Sequence, residues 1–185
     1  NDTITGGQGI DSINAGAGND TIIGYTADDT VNGGAGIDTL LVTEAHTIQT
    51  TNDNQLVNLE KVDASGANAG VLIQLDNQSE GFEVTGSAFA DTLRGGDGND
   101  TINAGNGDDF IDGGIGNDSI NAGNGNDTIF NFIGHDTVDG GQGTDTLVVE
   151  QNSAADLKNA EDDHLKNVEI VEIEGPVGVE VDLGK

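Results

Sequence analysis

The chain has 185 residues, 34 acidic against only 5 basic, for a formal net charge of −29, and it contains no Cys, Met or Trp. Five cations cannot form the basic patch of a nucleic-acid binder, missing cysteines exclude disulfide frameworks and thiolate zinc sites, and no apolar run approaches the ~18 residues of a membrane span. High charge with few aromatics points toward disorder, yet Ile, Val, Leu and Phe number 46 of 185 residues, above the ~20% disorder signal.

The opening Asn1-Asp2-Thr3-Ile4 lacks the basic and apolar regions of a secretory leader. Across residues 1–41, Asp2, Asp11, Asp20, Asp29 and Asp38 recur every nine residues, each after the first behind a six-residue turn such as Gly33-Gly34-Ala35-Gly36-Ile37-Asp38. Two residues past each Asp stands an aliphatic: Ile4, Ile13, Ile22, Val31 and Leu40. Gly at the first, second and fourth places permits positive φ and a tight turn. Three residues then read as a very short strand with the aliphatic pointing inward. Such strands bury little alone, but stacked copies build a continuous ladder, which is solenoid logic. One aliphatic per turn leaves little room for rings.

Residues 42–85 lose this code. Thr43–Gln55 reads as a polar loop, whereas Val71–Leu75 and Phe82–Thr85 alternate as strands do. The segment is expected to continue the solenoid as wider coils held by apolar packing. Residues 86–148 resume the code out of phase with the first block, with Asp91, Asp100, Asp109, Asp118, Asp127, Asp136 and Asp145, followed by Leu93, Ile102, Ile111, Ile120, Ile129, Val138 and Leu147. Residues 149–185 form a second extension, with a polar loop over Gln151–Asp163, a short helix within Ala154–His164 as its alternative, and a strand over Val168–Glu174. Ala15–Gly34 aligns with Ala122–Gly141 at an offset of 107, and Leu56–Glu60 with Leu165–Glu169 at 109. Residues 1–76 and 108–185 thus read as tandem copies of one ~107-residue unit, cut from a longer array.

An Asp every nine residues stacks carboxylates in columns with rungs ~4.8 Å apart. Two such charges repel by ~1 kcal/mol in water and ~4 near a protein surface. A hard divalent cation reverses the sign. Calcium takes oxygen ligands from carboxylates and backbone carbonyls, while magnesium holds its waters and demands stricter geometry. Zinc is disfavoured without Cys and with three scattered His.

Gly95-Gly96-Asp97-Gly98-Asn99-Asp100-Thr101-Ile102-Asn103 resembles the repeats-in-toxin (RTX) nonapeptide G-G-x-G-x-D-x-U-x, where U is aliphatic. The resemblance implies an all-β fold, a parallel β-roll or β-solenoid with calcium-binding turns, extended by calcium-free β-helical coils. It implies two nonapeptides per coil, so that every second turn stacks on the same side with Ca2+ between. The implied pairs are Asp2–Asp20, Asp11–Asp29, Asp20–Asp38, Asp91–Asp109, Asp100–Asp118, Asp109–Asp127, Asp118–Asp136 and Asp127–Asp145. Turn carbonyls would come from around Gly16 and Gly18, Gly34 and Gly36, Gly96 and Gly98, Gly105 and Gly107, Gly114 and Gly116, Gly123 and Gly125, Gly141 and Gly143, and Gly7 and Gly9. Asp29, Asp91 and Asp136 follow turns that depart from the pattern, so about four ions are expected and up to eight.

His46, His135 and His164 read as solvated surface residues. Glu169, Glu172, Glu174 and Glu180 read as a solvated face rather than a catalytic pair. The expected function is non-enzymatic: a calcium-binding module of a secreted or cell-surface bacterial protein, folding outside the cell and acting as spacer or scaffold in an adhesin or surface layer. The resemblance implies type I secretion machinery and neighbouring array copies as partners. The alternative is the carboxy-terminal folding and secretion module of an exported hydrolase, lipase, or polysaccharide lyase or epimerase.

Overall fold

The computed structural model describes residues 1–133, 135–150 and 164–174. The loop or helix expected within 151–163, and everything beyond 174, lie outside the described residues. The first block and the coil after it give β1 (Thr3–Thr5), β2 (Ser12–Ala17), β3 (Thr21–Ile23), β4 (Thr30–Ala35), β5 (Thr39–Leu41), β6 (Thr47–Gln49) and β7 (Leu56–Val57). The middle gives β8 (Lys61–Asp63), β9 (Leu72–Gln74), β10 (Glu83–Thr85), β11 (Thr92–Gly96), β12 (Thr101–Asn106) and β13 (Phe110–Gly114). Then come β14 (Ser119–Asn124), β15 (Thr128–Phe130), β16 (Thr137–Asp139), β17 (Thr146–Glu150), β18 (Leu165–Lys166) and β19 (Ile170–Glu174). There is no helix among the described residues.

Every strand pairing is parallel, and within the coded blocks each strand lies beside its equivalent two nonapeptides further on: Ile22 beside Leu40, Ile102 beside Ile120, and Ile111 beside Ile129. Among the described residues one wall is a continuous nine-stranded sheet, in order β1-β3-β5-β8-β10-β12-β14-β16-β18. The facing wall is split into β2-β4-β7 and β6-β9-β11-β13-β15-β17-β19. Outside the code the coils widen, since Leu40 pairs with Val62 and Val62 with Val84. The chain is therefore an all-β parallel solenoid that its uncoded middle segment continues without a break in the first wall.

The aliphatic after each Asp forms the core. Ile22, Leu40, Leu93, Ile102, Ile111, Ile129 and Leu147 are fully buried, each contributing roughly 1.5–3 kcal/mol. Three expectations need correction. Several coded strands run to five or six residues, because pairing continues into the turn as far as Ala17–Ala35 and Asn106–Asn124. Thr43–Gln55 is not wholly a loop: it contains β6, whose Ile48 is buried beside Ile73. Rings do fit the narrow coil, at corners, where Tyr25 and Phe132 are buried.

Candidate metal centre

Each coded Asp sits at a corner, one residue ahead of its strand, and from Asp20 onward its side chain is held across coils. The Asp109 N–H donates to Asp127 Oδ1 at 2.8 Å, and the Asp109 carbonyl accepts from Thr128 N–H at 2.8 Å. The side-chain bond recurs for all eight pairs read from the sequence: Asp2 to Asp20, Asp11 to Asp29, Asp20 to Asp38, Asp91 to Asp109, Asp100 to Asp118, Asp118 to Asp136 and Asp127 to Asp145 complete the set at 2.5–2.9 Å. The corners thus form two columns, one leading into each wall. They are not an exposed edge: from Asp20 onward every coded Asp is at most 3% exposed, while Asp11 is half-buried and Asp2 exposed.

From Asp20 onward one oxygen of each carboxylate is thereby used, with Val71 and Phe82 N–H serving Asp91 and Asp100, and the other oxygen divides the turns into two kinds. In turns that keep G-x-G-x-D, Oδ2 of Asp11, Asp20, Asp38, Asp100, Asp109, Asp118, Asp127 and Asp145 is buried without a hydrogen bond. In the departing turns, Oδ2 is taken by the turn itself. Thr26 N–H donates to Asp29 at 2.6 Å, Ile133 N–H to Asp136 at 2.7 Å, and Ser87 N–H to Asp91 at 2.6 Å.

The electrostatics follow from burial. Desolvation pushes Asp100 and Asp109 up to about 7 and Asp127 up to about 6, against hydrogen bonds from Phe82, Asp91 and Asp109 N–H. Column neighbours add to the rise: Asp118 on Asp100, Asp91 and Asp127 on Asp109, and Asp145 on Asp127. Asp118 and Asp145 are raised by the same burial. Asp20 goes the other way, because the Asp2 N–H holds it down.

The turn glycines serve two ends. At the second and fourth places φ is positive, as at Gly34 (105°) and Gly36 (147°), and a Cβ on either would overlap the carbonyl oxygen of Gly16 or Gly18 one coil away. Gly98 is the exception at the fourth place, without positive φ. In the coded turns the first place does not take positive φ, contrary to expectation: Gly95 and Gly113 leave room for the carboxylates of Asp100 and Asp118, whose Oδ2 a Cβ would strike.

Two column members escaped the sequence reading. Glu60 accepts from Asp38 N–H and Glu169 from Asp145 N–H, both at 2.8 Å, the position an Asp holds elsewhere. Each ends a three-residue corner, Asn58-Leu59-Glu60 or Asn167-Val168-Glu169, whose Asn has φ near 50°. The extra methylene of Glu spans what the shortened corner omits. The shared Asn-x-Glu spelling was the available signal. His135 and His164, read as unrelated, bring their rings to 6.3 Å, and the exposed His46 has Nε2 at 2.7 Å from the Tyr25 carbonyl oxygen. No group of three or more His, Asp or Glu side chains among the described residues is arranged to hold a metal unaided, so any ion in the columns needs backbone oxygens as well.

A family model described as RTX calcium-binding nonapeptide repeat (4 copies) matches residues 5–40, 85–120 and 113–147, together more than half of the chain. No curated protein matches it.

Proposed function

The chain belongs to the RTX calcium-binding nonapeptide repeat family, and on that premise we propose that it is a non-enzymatic scaffold module whose solenoid closes on Ca2+. One observation carries this reading: pairs of buried aspartates, one coil apart, each with an oxygen that nothing in the protein satisfies. A buried carboxylate oxygen without a partner is costly, and two in adjacent coils add repulsion. These oxygens fit a hard cation. Asp20 with Asp38, Asp100 with Asp118, Asp109 with Asp127, and Asp127 with Asp145 would hold it, assisted by carbonyls of the turns around Gly34 and Gly36, Gly114 and Gly116, Gly125, and Gly141 and Gly143. Bound there, calcium supplies positive charge and Lewis acidity toward the orphaned oxygens. The protein's own part is to fix the columns through the Asp N–H ladder and to bury the aliphatic wall behind them.

Binding to the folded form alone stabilises it by mass action, so the module folds where calcium is millimolar and stays open where it is scarce; sites in the ~10⁻⁴–10⁻³ M class suffice. On this reading the protein works outside the cell or on a bacterial surface, after export in the open form through a type I machinery. The repeated ~107-residue unit favours a spacer within an adhesin or surface layer. Calcium titration followed by circular dichroism tests the core of this: β signal should rise cooperatively between micromolar and millimolar Ca2+, and much less with Mg2+. A calcium-stripped chain already fully and cooperatively folded at neutral pH would overturn it.

A further inference from the structure

The three turns that break the G-x-G-x-D code are the three whose carboxylates are satisfied from within. At the second place of the coded turns, Gly7, Gly16, Gly34, Gly96, Gly105, Gly114, Gly123 and Gly141 take φ between 93° and 123°. Tyr25, Ser87 and Phe132 stand at that place in the departing turns, and none of them takes positive φ. A side chain there disfavours the left-handed path, and the backbone follows another that aims an N–H at the Asp: Thr26 at Asp29, Ile133 at Asp136, and Ser87 at Asp91. At Asp91 the closure is fuller, since Ser87 Oγ–H and Val71 N–H also donate to Oδ1, at 2.8 and 2.7 Å. Tyr25 and Phe132 turn their rings into the core, 1% and 2% exposed, and so lock the altered corner.

We infer that the corners of Asp29, Asp91 and Asp136 are metal-independent clips, in which a donor from the turn stands in place of calcium and marks the limit of each calcium ladder. This rests on the calcium reading of the coded turns. An N–H aimed at the carboxylate neutralises part of its charge and occupies the lone pair a cation needs, so the gaps Asp11–Asp29, Asp91–Asp109 and Asp118–Asp136 take no ion. Four gaps remain with orphaned oxygens on both sides: Asp20–Asp38, Asp100–Asp118, Asp109–Asp127 and Asp127–Asp145.

The Asp91 corner offers a gain-of-site test, because Ser87→Gly with Phe89→Gly restores the code from Gly86 to Asp91 and removes only the Ser87 hydroxyl bound to Asp91 and a half-exposed ring. Bound Ca2+ per chain is counted by equilibrium dialysis at saturating calcium, for the wild type and for S87G/F89G, D91N, D136N and D109N. The expected result is one more ion in S87G/F89G, no change in D91N or D136N, and the loss of at least one in D109N. Loss of an ion in D91N or D136N, or no gain in a folded S87G/F89G, overturns the clips. If D109N loses none, the calcium reading fails, and the clips fall with it.

Discussion

A column aspartate divides its two oxygens between fold and ligand. Oδ1 of Asp127 belongs to the fold, through the Asp109 N–H, and Oδ2 is left for something the chain does not provide. A proton can stand in for the missing cation. Asp100, Asp109 and Asp127 are raised from 3.8 to about 7, 7 and 6 in the folded form. A carboxyl whose folded pKa exceeds its unfolded one binds more protons when folded, so stability falls as pH rises through that window. The calcium-stripped chain should therefore gain β structure as pH drops from about 7.5 to about 5, while its calcium affinity weakens because protons compete for the same oxygens. Circular dichroism of stripped protein across that range checks the first, and calorimetric titration at both ends checks the second. Loss of β signal on acidification would count against it.

At the scale of turns and strands, the glycines are set by backbone close to backbone. Gly114→Ala would force a Cβ at φ 97° into the Gly96 carbonyl, a strain of at least about 2 kcal/mol. For a chain of this size that lowers Tm in calcium by roughly 4–8 °C. Gly66→Ala, with nothing within 4 Å of its new Cβ, should stay within roughly ±0.5 kcal/mol; equal effects in thermal melts would refute the close-approach account. These elements differ in how far the sequence reveals them. The coded coils are legible because Asp, Gly and aliphatic recur in register, and the register of Ile102 with Ile120 follows from the period alone. β6 was hidden, since Ile48 is one aliphatic among polar neighbours and its burial depends on Ile73 a coil away. Glu60 and Glu169 were hidden because the three-residue corner keeps the column's geometry but none of its spelling. The clips at Asp29, Asp91 and Asp136 could be suspected from the broken code, but the N–H that replaces the ion depends on a backbone path no composition reports.

At the scale of the whole molecule, nine strands stacked in one wall make a rod about 40 Å tall at ~4.8 Å per step. Four ions would bring the net charge of −29 to −21, so the closed rod keeps an excess that opposes self-association. Stripped of calcium, the chain should swell from a radius of gyration below about 20 Å toward ~45 Å. Sodium chloride at about 1 M, which shortens the screening length to ~3 Å, should reverse little of that, because it relieves repulsion without filling the buried oxygens. Small-angle scattering separates the two; full recompaction by salt alone would reduce calcium to a screening agent.

The placement of equivalent strands in opposite walls also gives the rod an alternating rhythm. β4 and its counterpart in the following unit, β16, belong to opposite walls, as do β5 and β17. A unit of the proposed array therefore spans an odd number of half-coils, and its successor enters the rod turned through half a revolution. A surface mark carried by every unit, such as the exposed Asn19 and its counterpart Asn126, would face left and right by turns along a fibre. Any single side would repeat only at every second unit. A partner reading one side of such a fibre would count units in pairs.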